Sequence, residues 1–184
     1  HGRMPVWRYA LGDRVIEQRI WLEPGANTVY VAYKLEPPRP FGTPLLSQGG
    51  EREQTTQPIS SLDKEGWRNA PGWSDSEKGV TMLRVRLLVN ARDHHVSMTP
   101  GGFTPRVETV EDQLHVVCPD RFTLRFQAPG GVLKPEWDWI ENFDLPVERE
   151  RGLPDRDAHL CIGYALLTLR PGHWVGITAS LHET

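Results

Sequence analysis

The stretch from Trp137 to Gly152 combines aromatic rings with carboxylates. Its aromatic residues are Trp137, Trp139 and Phe143, and its acidic residues are Asp138, Glu141, Asp144, Glu148 and Glu150. Sugar rings stack their C–H faces on indole, and glycosidases require two carboxyl groups across the scissile bond. The mixture therefore indicates carbohydrate binding. Alternatively, the stretch is an aromatic-anchored crossing segment whose charges form weak surface ion pairs.

A second cluster of donors and acceptors follows the strand predicted to end at Asn90. It consists of Arg92, Asp93, His94 and His95, and it indicates either a binding corner or a local hydrogen-bonded turn. Adjacent residues on an extended strand point to opposite faces. His94 and His95 therefore cannot both ligate one ion without a bulge, and we predict no metal site there.

The usual catalytic signatures are absent from the sequence. We find no glycine-rich phosphate loop, no G-x-S-x-G, no H-E-x-x-H and no cysteine pair at zinc spacing. The two cysteines, Cys118 and Cys161, are too few for a disulfide scaffold, so we expect buried, reduced thiols. We predict no catalytic residue and no cofactor in this chain.

Alternation with a period of two dominates the chain and predicts strands. Residues 15–22 and 27–35 flank Glu23-Pro24-Gly25-Ala26, a turn sequence that predicts an antiparallel hairpin. Further alternating or apolar runs cover residues 83–89, 114–118, 122–127, 160–169 and 174–180. The run 160–169 is apolar on both sides, as expected of a central strand covered on both faces.

No segment carries a convincing helical stripe. The best candidate, residues 145–153, is interrupted by Pro146 and ends at Gly152. Roughly eight strands with short turns predict an all-β fold, an antiparallel two-sheet β-sandwich formed by one domain over residues 1–184. A closed barrel is the alternative.

Residues 36–79 break the strand pattern, because they are rich in Pro, Gly, Ser, Gln and charge. The stretch is too long and polar for an ordinary hairpin connection, so we predict a long polar loop or insertion. It is either a solvated surface loop or a segment in which Trp67 and Trp73 contact a sugar or a partner domain.

Charge and hydropathy argue against two classes of partner. The net charge is −3, which provides no broad positive field for nucleic acid or an anionic membrane. The longest apolar run, residues 160–169, is about half the length that spans a bilayer.

The chain opens at His1 without an initiator Met or a leader pattern, so we expect a fragment of a larger protein.

Several short motifs carry a family resemblance. Pro5–Tyr9, Val15–Ile20 and Gly25–Val31 resemble the pattern P-x-W-x-Y, E-K-x-I, G-x-N-T-V-x-V-x-Y that opens the N-terminal domain of bacterial and archaeal glycogen debranching enzymes. Leu87–His95 resembles that family's strand ending in R-D-aromatic-H. Residues 139–157 resemble its W-x-x-N-F, E-x-x-R-G, E-D stretch, although Arg156 replaces an acid there. The resemblance covers nearly the whole chain except residues 36–79.

The resemblance implies a supersandwich, similar to galactose mutarotase, that precedes a helical (α/α)6 barrel in a cytoplasmic enzyme. That barrel holds the acids that hydrolyse α-1,6-glucosidic branch points. The present domain would be non-catalytic, with an α-glucan and the C-terminal helical domain as its partners. The implied substrate-binding or interface residues are Arg92, Asp93, His95, Trp137, Trp139, Glu148, Arg151 and Asp157.

Other functions stay open at this point. The chain could be a stand-alone carbohydrate-binding module or a purely structural docking domain with an exposed apolar patch. A self-sufficient enzyme would need a carboxylate pair, either Glu148 with Asp157 or Asp138 with Glu141. If the resemblance is right, the gene continues past Thr184 into a helical region with two catalytic acids.

Overall fold

The structure is a computed structural model that describes residues 4–12, 14–37, 79–93, 96–118 and 121–181. Within these ranges it contains ten strands and one short helix. Their bounds are β1 Val6–Leu11, β2 Arg14–Leu22, β3 Thr28–Leu35, β4 Thr81–Val89, β5 Arg106–Val110, β6 Gln113–Cys118, β7 Phe122–Gln127, β8 Gly131–Asp144, α1 Pro146–Glu150, β9 Arg156–Leu169 and β10 Trp174–Ser180.

The strands form two antiparallel sheets, which confirms the predicted all-β sandwich. One sheet has seven strands in the order β1-β2-β3-β10-β7-β6-β5, and the other has three in the order β4-β9-β8. The large sheet is not a simple meander, because β10 lies between β3 and β7. Sequence alternation does not predict β1, β5 and β8. The last of these bends at two bulges, at Pro135–Asp138 and Ile140–Phe143, which disturb the period of two.

The predicted hairpin is the β2–β3 pair. Leu22 pairs with Val29, and the Ala26 amide donates to the Glu23 carbonyl at 3.2 Å. Gly25 has a φ of +79°, which glycine adopts without steric cost. The second Pro-Gly turn, at Pro171-Gly172, acts differently, because it carries the chain from β9 in the small sheet to β10 in the large one.

The core lies between the two sheets, with β9 as the central strand of the smaller one. Leu160, Ile162, Leu167 and Leu169 are fully buried, as the apolar run predicts. Full burial of each such side chain contributes about 1.5–3 kcal/mol. Gly163 is required where β8 passes β9, because a Cβ there would lie 2.4 Å from the Lys134 carbonyl oxygen.

The thiols and the helix match their sequence patterns only in part. Cys161 is buried and Cys118 half-buried, both without a disulfide, and burial raises the pKa of the Cys161 thiol.

A five-residue helix does form inside residues 145–153, with Pro146 at its first turn, where the missing amide hydrogen is tolerated. The single helix in the described ranges is not long and apolar enough to cross a bilayer.

Candidate functional site

The motif residues on β8 and β9, and those just after β4, lie at one end of the three-stranded sheet. Antiparallel pairing puts the end of β4 beside the start of β9 and the end of β8. Leu160 pairs with both Val89 and Trp139, and the Asn90 side chain donates to the Ala158 carbonyl at 3.3 Å. Segments far apart in the sequence are thus brought together.

Asp157 is the centre of this end of the sheet, with a side chain that is 1% exposed. Its Oδ1 accepts the amide hydrogens of Met98 at 2.7 Å and of Ala158 at 3.0 Å. Its Oδ2 lies 3.2 Å from Arg92 Nε. The Ala158 amide also donates to the Met98 carbonyl at 3.1 Å. One buried carboxylate therefore fastens the loop after β4 to the start of β9.

The remaining bonds complete a small polar network, which we call the Asp157 corner: Asn90, Arg92, Met98, Asp157 and His159. Arg92 Nη1 donates to the Val96 carbonyl at 2.8 Å. His159 Nε2 lies 3.9 Å from Asp157 Oδ2, and its Nδ1 lies 3.1 Å from Asn90 Nδ2. Sequence analysis singles out Arg92 and Asp157 in separate motifs but misses Asn90 and His159. Their only signal is their position next to the R-D-x-H and Asp157 motifs.

A short ion-pair chain closes the excursion between β8 and β9. Arg149 of α1 contacts Asp144 at the end of β8 and Asp155 before β9, the latter at 2.5 Å. Hydrogen bonding from Arg149 lowers the pKa of Asp155. The Leu145 amide donates to the Asp155 carbonyl at 2.9 Å. Sequence analysis singles out neither Arg149 nor Asp155, because consecutive charges in this stretch are indistinguishable by type.

Glu148 and Arg151 lie together at the end of α1, with Arg151 Nη1 3.8 Å from Glu148 Oε1. Arg151 is exposed and Glu148 half-buried, and the Leu153 amide donates to the Glu148 carbonyl at 3.0 Å. The two residues end the helix on the surface. Neither belongs to the Asp157 corner.

The two predicted tryptophans have different environments. Trp139 is partly buried and packs against the core, whereas Trp137 lies at a bulge of β8 and is 51% exposed. Asp93 is exposed, and its carbonyl accepts from the Val96 amide at 3.3 Å. His95 lies outside the described residues, as do His94, Trp67 and Trp73.

The geometry limits what this end of the sheet can do chemically. A glycosidase acid must reach the glycosidic oxygen, but Asp157 is enclosed and engaged by two amides and a guanidinium. The pair Glu148 with Asp157 therefore does not provide two carboxylates that face a sugar. In the described part of the chain, no group of three or more His, Cys, Asp or Glu could hold a metal ion.

The fold is an all-β sandwich, and the acidic residue of its last motif, Asp157, has a structural role at the start of β9. The chain belongs to the family described as glycogen debranching enzyme N terminal, whose sequence model matches residues 1–44 and 72–176. The match leaves out residues 45–71, which lie inside the predicted insertion. No curated protein and no solved structure matches the chain.

Proposed function

We propose that this chain is the non-catalytic N-terminal domain of a cytoplasmic glycogen debranching enzyme that cleaves α-1,6-glucosidic bonds. It packs on a separate helical barrel that carries the catalytic acids, and it helps to hold the α-glucan. The family match over most of the chain carries this proposal, because that family is defined by its position in a debranching enzyme.

The Asp157 corner supports a non-catalytic role. Its carboxylate is enclosed, and a buried backbone amide that loses its acceptor typically destabilises a protein by about 1–3 kcal/mol. A group used in this way fixes a loop and is not available for proton transfer to a substrate. The catalytic acids are therefore expected on another domain.

The exposed groups around this corner support a role in contact with the barrel or the glucan. Arg92 and Asp93 present exposed surface just after β4, Arg151 does so just after α1, and Trp137 does so at the bulge in the middle of β8. An aromatic ring among charged groups suits either a sugar or the polar rim of a domain interface. The Asp157 corner keeps the loop that carries Arg92 and Asp93 in one place.

The downstream gene sequence tests the proposal most directly. We expect the reading frame to continue past Thr184 into a helical region of several hundred residues with two catalytic acids. We also expect the 184-residue chain alone to release no glucose from branched dextrin. A stop codon just after Thr184 would contradict the debranching proposal and favour a stand-alone carbohydrate-binding module. Glucose release by the chain alone would contradict the division of labour.

A further inference from the structure

The large sheet extends well beyond the small one. With strands about 4.8 Å apart, a difference of four strands corresponds to roughly 20 Å of width. The main contacts between the sheets come from β3, β6 and β10 against β8 and β9. At one end of these strands Leu11 and Ile16 pack in the core and Arg14 donates to the Val80 carbonyl, so only the other end of the inner face of β1 and β2 extends past the surface that the small sheet covers.

Strand pairing identifies the side chains on that uncovered face. Trp7 pairs with Gln18, and Gln18 pairs with Tyr33, whose ring points into the core. Residues directly opposite each other share a face, as do alternate residues along a strand. We call the resulting surface the inner shelf: Trp7, Tyr9, Gln18, Ile20, Leu22 and Val29. All six lie outside the buried core and its packed neighbours; Leu22 is 72% exposed and the other five are half-buried.

A row of uncharged hydrogen-bonding groups crosses the inner shelf. Tyr9 Oη donates to Gln18 Oε1 at 2.6 Å, and Gln18 Nε2 donates to Tyr33 Oη at 3.2 Å. Burial raises the pKa of Tyr33 to about 12 and also raises that of Tyr9, so both hydroxyls keep their protons. Among the described residues, two half-buried positions lack a partner, namely the second Gln18 amide hydrogen and an acceptor site on Tyr9 Oη, whereas Tyr33 is the buried end of the row.

The opposite face of the same sheet uses its aromatic residues differently. Trp21 stacks on Tyr30 with ring centroids 5.2 Å apart, and the Tyr30 hydroxyl donates to Glu23 at 2.7 Å. Trp174 has Arg19 and Lys34 over its ring at 4.6 and 4.7 Å. These rings contact other side chains of the chain itself. On the inner shelf, by contrast, Gln18 and Tyr9 have unpaired hydrogen-bonding positions beside the Trp7 ring.

We propose that the inner shelf binds a neutral polyhydroxylated ligand, an α-glucan segment, with Trp7 stacking on a pyranose ring and with Gln18 and Tyr9 bonding its hydroxyls. The choice of glucan rests on the proposed function. None of the six shelf side chains is charged, so no charged group has to be desolvated when a sugar binds. An apolar helix seated there would bury the unpartnered Gln18 amide hydrogen and the open acceptor site of Tyr9, at about 1–3 kcal/mol each.

A matched pair of tryptophan variants tests the proposal. The 184-residue chain is titrated with maltoheptaose, and with cellohexaose as a stereochemical control, while chemical shifts are followed by NMR. We expect Trp7→Ala to weaken maltoheptaose binding about tenfold or more. Trp21→Ala removes the same type of side chain from the opposite face and should leave the affinity within about twofold. Gln18→Leu leaves the core intact, and it replaces Trp7→Ala as the test variant if Trp7→Ala does not fold. It should also weaken maltoheptaose binding.

Each remaining outcome contradicts the proposal in a different way. Undiminished glucan binding by both Trp7→Ala and Gln18→Leu would mean that the sugar binds elsewhere. No shift with maltoheptaose at about 10 mM, a concentration that detects affinities near −3 kcal/mol, would remove the shelf site outright. Loss of binding to the helical domain, with glucan binding unchanged, would make the shelf a docking surface. The downstream gene sequence tests the debranching assignment independently of all three results.

Discussion

The Asp157 corner and the inner shelf lie on different sheets and differ in the charge and burial of their polar groups. In the corner, Asp157 Oδ1 accepts two backbone amide hydrogens and Oδ2 lies beside Arg92, but Oδ2 and Asn90 Oδ1 are buried without a hydrogen-bond partner within the described part of the chain. On the shelf, Tyr9 and Gln18 bond to each other and retain unpaired positions on half-buried side chains. The corner carries the charged motif that suggests chemistry, yet its unpaired atoms are enclosed, whereas the unpaired positions of the shelf lie at the margin of the core.

The comparison shows that residue type is a weak guide to function when the partners are unknown. A buried charge must be compensated, so an acidic motif in a sandwich core is expected to be structural when donors surround it. Uncharged polar groups at the margin of a core remain solvated at lower cost. Ligand-binding capacity therefore lies where the fold leaves unpaired polar groups within reach of a ligand.

Removal of the Asp157 carboxylate should have the largest effect on stability. Asp157→Ala leaves the buried Met98 amide without its acceptor, so we expect a loss of about 1–3 kcal/mol in the free energy of unfolding. Urea unfolding followed by circular dichroism measures it. Asp93→Ala, an exposed neighbour, is the control and should stay within about 0.5 kcal/mol. Equal losses in both variants would show that the corner is not the anchor described here.

High pH should destabilise the fold through Tyr33, whose ring is buried beside the inner shelf. Tyr33 has a pKa of about 12 when folded and about 10 when unfolded, so between these values only the unfolded chain loses its proton. Stability falls there as pH rises, by up to about 1.4 kcal/mol per unit. We expect Tyr33→Phe to flatten the alkaline limb of a urea-derived stability profile. An unchanged slope between about pH 10 and 12 would contradict burial of the Tyr33 hydroxyl.

Much of the fold follows from local pattern. The β2–β3 hairpin is predicted correctly because Pro24 and Gly25 satisfy the turn that joins two alternating runs. The central position of β9 is predicted because its apolar residues fall on both faces. By contrast, β8 is missed because two bulges interrupt its alternation. The crossing of Pro171-Gly172 between sheets depends on contacts that no local pattern encodes.

The sites are less predictable than the strands. The motifs bring Arg92 and Asp157 to attention, but only the antiparallel register of β4, β9 and β8 shows that the two side chains meet. The inner shelf has no sequence signature, because its exposure follows from the unequal widths of the two sheets. Trp7 and Gln18 become a candidate site only when the position of the small sheet is known.

Loss of the ion-pair chain around α1 should have a smaller effect than either change above. Arg149→Ala removes the contacts with Asp144 and Asp155, which are largely exposed to solvent. Such pairs are weak and are screened by salt. We expect a slight fall in melting temperature at low ionic strength that disappears in about 1 M salt. A fall of the same size in high salt would mean that Arg149 acts through packing.

Substitution of an exposed side chain on the inner shelf should change the free energy of unfolding least, in contrast to substitution of Asp157 in the corner. Leu22 is 72% exposed, so Leu22→Ser removes little buried apolar surface. We expect the free energy of unfolding to change by less than about 0.5 kcal/mol, measured by urea unfolding beside Asp157→Ala. Leu160→Ser, in the fully buried core, is the positive control. A substantial loss in Leu22→Ser would show that another part of the chain already covers the shelf, and the surface would then be closed to a ligand.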